Sequence, residues 1–323
     1  MGLRLSGLSG YLLFQRSLAV RNQAMMKSSE ELSTQKRINR PSDDPQGAKT
    51  VLTYRSAIDK LNQYKANIGN ADRMLKQTEV ALNGAKDVLI RAKEIALQGN
   101  NTTIGQSGRL ALAEEVKQIR EQLLGHANTE LNGEYIFSGY KTNVEPITLD
   151  VGFPNPPTAT YNGDTNLRSI QIAEGETMTV QSRGDRVFLG DGTANTVDLF
   201  EVLGNLENTL RTEPNPAANP GDPDHFDTLS AAFGDAIEDL DLGFNQVLKE
   251  VTSLGGRMNR LTSTTEDFDI QLETLRSFVS DIEDKDIAEI TMEFQRAQLA
   301  LQATLGSAGA VMQLPSLMDF IGR

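Results

Sequence analysis

From Phe233 to Ile282 the apolar positions of the chain fall alternately four and three residues apart. They run through Phe233, Ile237, Leu240, Phe244, Val247, Val251, Leu254, Met258, Leu261, Phe268, Leu272, Leu275, Val279 and Ile282, with Thr265 the one polar member. A heptad repeat held this long predicts a helix that buries one narrow stripe against a neighbouring helix. The frame breaks at Glu283-Asp284-Lys285-Asp286 and resumes one residue out of phase at Ile287, Ile290, Phe294, Ala297, Leu301, Thr304, Ala308 and Val311. Such a break predicts a joint between two helical layers, with Asp284 or Asp286 capping the second helix.

The first half of the chain matches. Leu61, Ile68, Leu75, Leu82 and Leu89 lie seven apart, and Ala96 continues the row. Ala71, Thr78, Ala85 and Ala92 form a small-residue row beside it, which lets a partner helix approach closely, and Met74, Ala81, Val88 and Ile95 form a third. The pattern predicts a helix of about 40 residues ending near Gly99-Asn100-Asn101. A shorter helix carries Leu112, Val116, Ile119 and Leu123, and near the start Tyr11, Leu18, Met25 and Leu32 are again seven apart. Matched seams at both ends predict that the ends pair with each other in one bundle. The outermost seams, over 11–32 and 287–311, are short and are expected to find part of their partner surface in neighbouring subunits.

Proline marks what lies between. Of the 11 prolines, two are Pro41 and Pro45, eight lie from Pro146 to Pro223, and one is Pro315. Proline costs a helix interior about 3 kcal/mol, so the two proline-free stretches suit long helices and the middle does not. In that middle, residues 132–140 read as the start of a strand. Asn162-Gly163 is a hairpin-turn signal, and 169–172, 178–181 and 186–189 read as strands. A helix is expected over 197–210, and residues 213–224 are expected to form an exposed loop. The fold class is therefore mainly α with a β-rich insert. Long N- and C-terminal helices pair in a coiled-coil-like bundle around a small β domain. The expected division is 1–45 with 285–323 as inner terminal segments, 46–140 with 227–284 as the helical core, and 141–226 as the β-rich outer domain. A hairpin-anchored insert of this kind is expected to be removable, over 145–220, without loss of the helices.

Composition narrows the chemistry. The 323 residues include no Cys and two His, so disulfides, thiolate metal sites and Cys nucleophiles are excluded. His126 and His225 lie too far apart in sequence to support a Ser-His-Asp arrangement. Asp222, Asp224 and His225 read as a polar loop rather than a metal site, and Asp43-Asp44 as a turn and helix cap rather than a catalytic pair. No phosphate-binding glycine loop is present. The expectation is a structural protein with no catalytic residues, no cofactor and no metal.

Net charge is −13, which disfavours nucleic acid and anionic membranes as partners. Residues 1–140 carry 19 Lys/Arg against 14 Asp/Glu, whereas 141–323 carry 12 against 30, so the two halves attract one another weakly if they pair. No stretch approaches the ~20 apolar residues of a membrane span. The longest apolar run near the N-terminus, Tyr11 to Phe14, falls short of a secretory signal.

Several stretches resemble one family. Leu32 to Pro45, which contains Asn39-Arg40-Pro41-Ser42-Asp43-Asp44-Pro45, is similar to the signature of the flagellin-like hook-associated proteins that form the hook–filament junction of the bacterial flagellum. Flagellins share the start of this pattern but typically lack the Pro-Ser-Asp-Asp-Pro form. Tyr135-Ile136-Phe137-Ser138-Gly139-Tyr140-Lys141-Thr142 resembles the same proteins, and Leu254-Gly255-Gly256-Arg257-Met258-Asn259-Arg260-Leu261 resembles a flagellin-type stretch. Ala288-Glu289 with the run Arg296 to Ala303 is similar to the terminal helix that flagellins and junction proteins share. The likeness covers roughly 1–142 and 227–323. Gln35 stands where Gly is usual, and the opening Gly2-Leu3-Arg4-Leu5-Ser6 differs slightly from the common one.

The resemblance implies a structural subunit that joins the hook, through an adjacent hook-associated protein, to the flagellin filament. Its partners would be that protein, flagellin, copies of itself in a ring or tube, and an export chaperone at the C-terminal region. It would be extracellular, exported without a cleaved signal peptide. The terminal segments are expected to stay disordered in the monomer and to fold on assembly. The residues expected to carry assembly are Leu18, Met25 and Leu32; Asn39, Pro41, Asp43, Asp44 and Pro45; and Ile287, Ile290, Phe294, Arg296, Ala297, Leu301 and Val311. Flagellin itself is the nearest alternative, and a cytoplasmic coiled-coil scaffold is an alternative of another class.

Overall fold

The computed structural model describes residues 2–101, 103–150, 158–193, 195–212 and 224–312, with side chains described throughout these except at 2–10, 224–228 and 308–312. Two compact units divide the chain, one of residues 1–61 with 269–323, the other of residues 62–268. Helix α1 spans Gly2–Thr34, α2 Pro45–Gly99, α3 Gln106–Ala127, α4 Leu199–Arg211, α5 Asp224–Glu283 and α6 Ile287–Met312. Helices α2 and α5 contribute a part to each unit. Residues 213–223 of the expected loop, Asp222 among them, lie outside the described residues, whereas Asp224 and His225 open helix α5 rather than belonging to a loop.

In the unit of residues 62–268, α2 and α5 run antiparallel. Tyr64 and Phe268 meet in a tilted pair with centroids 6.1 Å apart, while Lys93 Nζ lies 2.5 Å from Asp241 Oδ1. The heptad rows explain the pairing. Leu240, Val247, Leu254, Leu261 and Phe268 of α5 are buried. On α2 all three rows are buried over 71–96, including Ala71, Thr78, Ala85 and Ala92 at full burial. Three rows exceed the single stripe of a two-helix coiled coil, because α2 also packs against α3, α4 and the middle of the chain. The small row does what its size allows, and Thr78 satisfies its hydroxyl on Met74 O at 2.8 Å. Gly84 matters in the same way, since the ring of His126 occupies the space a Cβ would fill.

The middle is built from three two-stranded antiparallel hairpins. They pair β1 (Glu130–Leu131) with β2 (Glu134–Tyr135), β3 (Ile147–Asp150) with β4 (Thr158–Tyr161), and β5 (Ser169–Ala173) with β6 (Glu176–Thr179). Two sequence readings need correction. Residues 185–189 form a π-helical turn, not a strand. Val187 and Phe188 are adjacent and both buried, which an alternating strand does not permit. Asn162-Gly163 is not a hairpin turn; it follows β4, and the β5–β6 turn is made at Glu174-Gly175, with Gly175 at φ +74°. α4 forms as expected, its N-terminus capped by Asp198, whose Oδ1 accepts from Phe200 N at 2.8 Å and Glu201 N at 3.2 Å.

Side-chain amides tie this middle to the helices. Gln246 of α5 donates from Nε2 to Val187 O at 2.8 Å and accepts at Oε1 from Val197 N at 3.1 Å. Asn128, just after α3, exchanges both bonds with the backbone of Ile147. Phe137, Ile147, Phe188, Phe200 and Leu203 therefore sit in one continuous core with Leu82, Leu89 and Ile95 of α2, Val116 and Leu123 of α3, and Leu240 and Val247 of α5. The insert thus shares one core with the helices, which weighs against the expectation that 145–220 can be removed at no cost to them.

Candidate assembly surface

The unit of residues 1–61 with 269–323 contains all the residues singled out for assembly, and its local structure starts at a turn. α1 stops at Thr34 and Gln35 adopts φ +57°, the left-handed conformation that closes many helices. The chain then pairs briefly with the α5–α6 joint. Arg37 N donates to Glu283 O at 2.7 Å, Lys285 N donates to Gln35 O at 3.2 Å, and Lys36 and Asp284 form an isolated antiparallel bridge. The two aspartates have separate local duties. Asp43 Oδ2 accepts from Asn39 N at 3.2 Å and Arg40 N at 2.9 Å, closing the turn that holds exposed Pro41. Asp44 Oδ1 accepts from Gly47 N at 2.9 Å and caps α2, with Pro45 at the first helical position, where its missing N–H costs nothing. The Gly47 hydrogen bond and then the Arg37 guanidinium hold the Asp44 carboxyl below its ordinary range. Asp286 caps α6 by accepting from Ala288 N at 2.7 Å.

Two carboxylates are buried in this joint. Glu283 accepts from Arg55 Nη2 at 2.6 Å and lies 2.9 Å from Lys36 Nζ. Glu31 faces Lys285 Nζ at 3.5 Å and Lys27 Nζ at 3.8 Å. Burial opposes the charge of Lys285, but Glu293 and Glu31 outweigh it and raise its pKa. Paired in this way, neither glutamate is a stranded charge, and removing a cation from either is the expensive change. Tyr54 of α2 and Phe278 of α5 meet beside the joint with ring centroids 5.8 Å apart.

Beyond the joint, α1 and α6 pack antiparallel on each other. Each half-buries one narrow stripe, formed by Phe14, Leu18, Met25 and Leu32 on α1 and by Phe294, Ala297, Leu301 and Thr304 on α6, with Ile290 fully buried at its start. At 100° per residue the α6 stripe spans about 80° of arc. Met292 and Leu299 lie on the opposite side, 52% and 65% exposed. α1 likewise exposes Leu12, Leu13, Val20 and Met26 outside its stripe. These helices are apolar on two sides, and the intramolecular pair covers one of them.

The residues named from sequence thus fall into groups. Leu18, Met25, Leu32, Ile290, Phe294, Ala297 and Leu301 line the α1–α6 seam. Asn39, Pro41, Asp43, Asp44 and Pro45 build the turn. Arg296 and Ile287 are exposed, Ile287 outside the seam in which its spacing put it. The side chain of Val311 lies outside the described residues. Sequence reading missed the buried Glu31 and Glu283 with their cations, since one acid among many carries no signal until its neighbours are known. It also missed the outward Met292 and Leu299, although their separation of seven residues was there to be read.

Comparison with known proteins follows the same outline. The model of the bacterial flagellin N-terminal helical region matches residues 7–142, and that of the bacterial flagellin C-terminal helical region matches residues 237–315. Flagellar hook-associated protein 3 of Escherichia coli (strain K12) is 29% identical over 289 residues, covering 86% of this chain and 87% of that protein. Flagellin of Bacillus subtilis (strain 168) is 26% identical over 302 residues, 92% of each chain. Among solved structures, a flagellar junction protein from Legionella pneumophila superposes with a TM-score of 0.62 at 16% identity, covering 73% of this chain and all of that one. The likeness in structure bears on the fold, in which long terminal helices flank a small strand-containing middle.

Proposed function

The chain belongs to the flagellin family, in its branch of hook-associated junction proteins, and from that premise we propose that α1 and α6 are the segments through which it assembles, ordering only as they do so. As a member of that branch it is a structural subunit of the flagellum, at the junction of hook and filament. The observation that carries the proposal is the pair of terminal helices with apolar residues on two sides and cover for only one. A helix of this kind is stable when buried all round and marginal otherwise. Copies of the same chain in a ring or tube, an adjacent hook-associated protein on one side and flagellin on the other would supply the missing cover. Before assembly, an export chaperone over Phe294, Met292 and Leu299 would keep the C-terminal helix from self-association. Export without a cleaved signal peptide fits the same reading. Among the described residues, no helix is long and apolar enough to cross a membrane.

In the functional division, residues 1–45 and 285–323 are the inner assembling segments, 46–140 and 227–284 the helical core, and 141–226 the outer domain. Amide hydrogen exchange on the purified monomer tests this. Fast exchange over 1–40 and 285–323 is expected, with protection over 57–130 and 230–280. Protection throughout would overturn the coupling of folding to assembly.

A further inference from the structure

We propose that Arg109 and the first turn of α3 form a binding site for a small oxyanion of the carboxylate or phosphate class. Arg109 is 6% exposed, and its Nε is buried without a hydrogen-bond partner. Among the described residues its side chain makes one hydrogen bond, from Nη2 to Gln106 Oε1, which is long at 3.4 Å. A guanidinium does not lose its proton, so it cannot escape burial by becoming neutral. Leaving such a charge buried and uncompensated is among the costlier things a fold can do.

Its neighbours show that, among the described residues, counter-charges are supplied to the other arginines here and not to this one. Arg120, equally buried on α3, is paired with Glu207 at 2.5 Å. Arg211, at the end of α4, takes Glu207 at 3.0 Å and Glu114 at 2.6 Å. Both carboxylates of the α3–α4 contact are thereby used, and among the described residues none is left for Arg109.

The second component is the helix end itself. α3 is 22 residues long, its N-cap is Gly105 with no side-chain cap, and no acidic residue lies in its first turn. The amino end of such a helix presents unsatisfied N–H groups and the positive pole of the dipole. Gln106 is the first residue of that turn, and its Nε2 donates to Arg211 O at 3.3 Å, which holds its Oε1 toward Arg109. A Cβ added at Gly105 would meet nothing within 4 Å, so the approach to the turn is open. A neutral ligand would satisfy Nε but leave both positive features uncompensated, whereas an oxyanion answers both. The site lies within residues 62–268 and does not depend on how the terminal helices assemble.

Thermal unfolding of the full chain at constant ionic strength tests the proposal, with inorganic phosphate or acetate replacing chloride. The wild-type melting temperature is expected to rise by about 2–4 °C between 1 and 100 mM of the bound oxyanion. Arg109→Gln is expected to lose the rise while keeping the helical circular dichroism. Arg109→Lys, which keeps the charge and loses the fork, guards against misfolding of the first variant and is expected to retain less than half of the rise. A response to phosphate alone identifies a phosphate-type ligand, and a response to both identifies a site that also takes a carboxylate. Equal responses in wild type and either folded variant, or no wild-type response to either anion, overturns the proposal.

Discussion

Gln35 holds a left-handed backbone at φ +57°, where an L side chain costs about 1–2 kcal/mol and glycine nothing comparable. The position is fixed by what it connects: the end of α1, and a carbonyl that accepts from Lys285 N. Gln35→Gly is therefore expected to stabilise the joint by about 0.5–1 kcal/mol, the relief of strain being partly offset by the freer unfolded chain. Urea unfolding followed by a probe near residue 35 measures this, and a less stable glycine variant would contradict the assigned conformation. Little of this was visible beforehand. Gln35 was noticed because glycine was expected there, but a glutamine gives no hint that it must adopt a glycine's conformation. Asp43 and Asp44 were more legible, because a proline following an aspartate in a polar run already reads as a cap.

At the N-terminus of α4 the cap itself responds to pH. Burial pushes the Asp198 carboxyl up to about 6, despite the two backbone N–H groups that favour its charged form. The folded value is raised above the ordinary 3.8, so the stability this group contributes is present in full below about pH 4 and is lost as pH rises through about 6. Asp198→Asn keeps an acceptor for Phe200 N and Glu201 N but does not titrate. The variant is expected to flatten the decline in stability between pH 4 and 6, by roughly 1–2 kcal/mol once the partial exposure of the cap is allowed for. Denaturant titrations at pH 4, 5, 6 and 7 check it, and parallel curves for the two proteins would refute it. The helices themselves were readable because each keeps one period over many turns. The π-helical turn at Asp185–Leu189 was not, since Arg-Val-Phe-Leu has a strand's composition and only burial of both Val187 and Phe188 decides against one. Asn162-Gly163 misled for a related reason: a turn signal shows that the chain bends, not which strands it joins.

In the molecule as a whole, the frame break at residues 283–286 and the proline-free ends were enough to read long terminal helices around a different middle. Sharing of the core was not readable, because hairpins of two to five residues per strand leave no periodic trace of what they pack on. Removal of 145–220 takes out Ile147, Phe188, Phe200 and Leu203 and uncovers Phe137, Leu89 and Val116. Each such loss costs about 2–5 kcal/mol, and together they exceed the 5–15 kcal/mol by which a domain is stable. The deleted chain is expected to lose most of its helical circular dichroism; an unchanged signal would mean that the hairpins are passengers. The α1–α6 seam has a consequence of a different kind, one of timing. Its two strips of side chain, near residues 18 and 301, lie far apart in the sequence, so closing it is a strongly non-local event. Whichever strip is made first must wait, with its apolar side chains uncovered, until the other arrives.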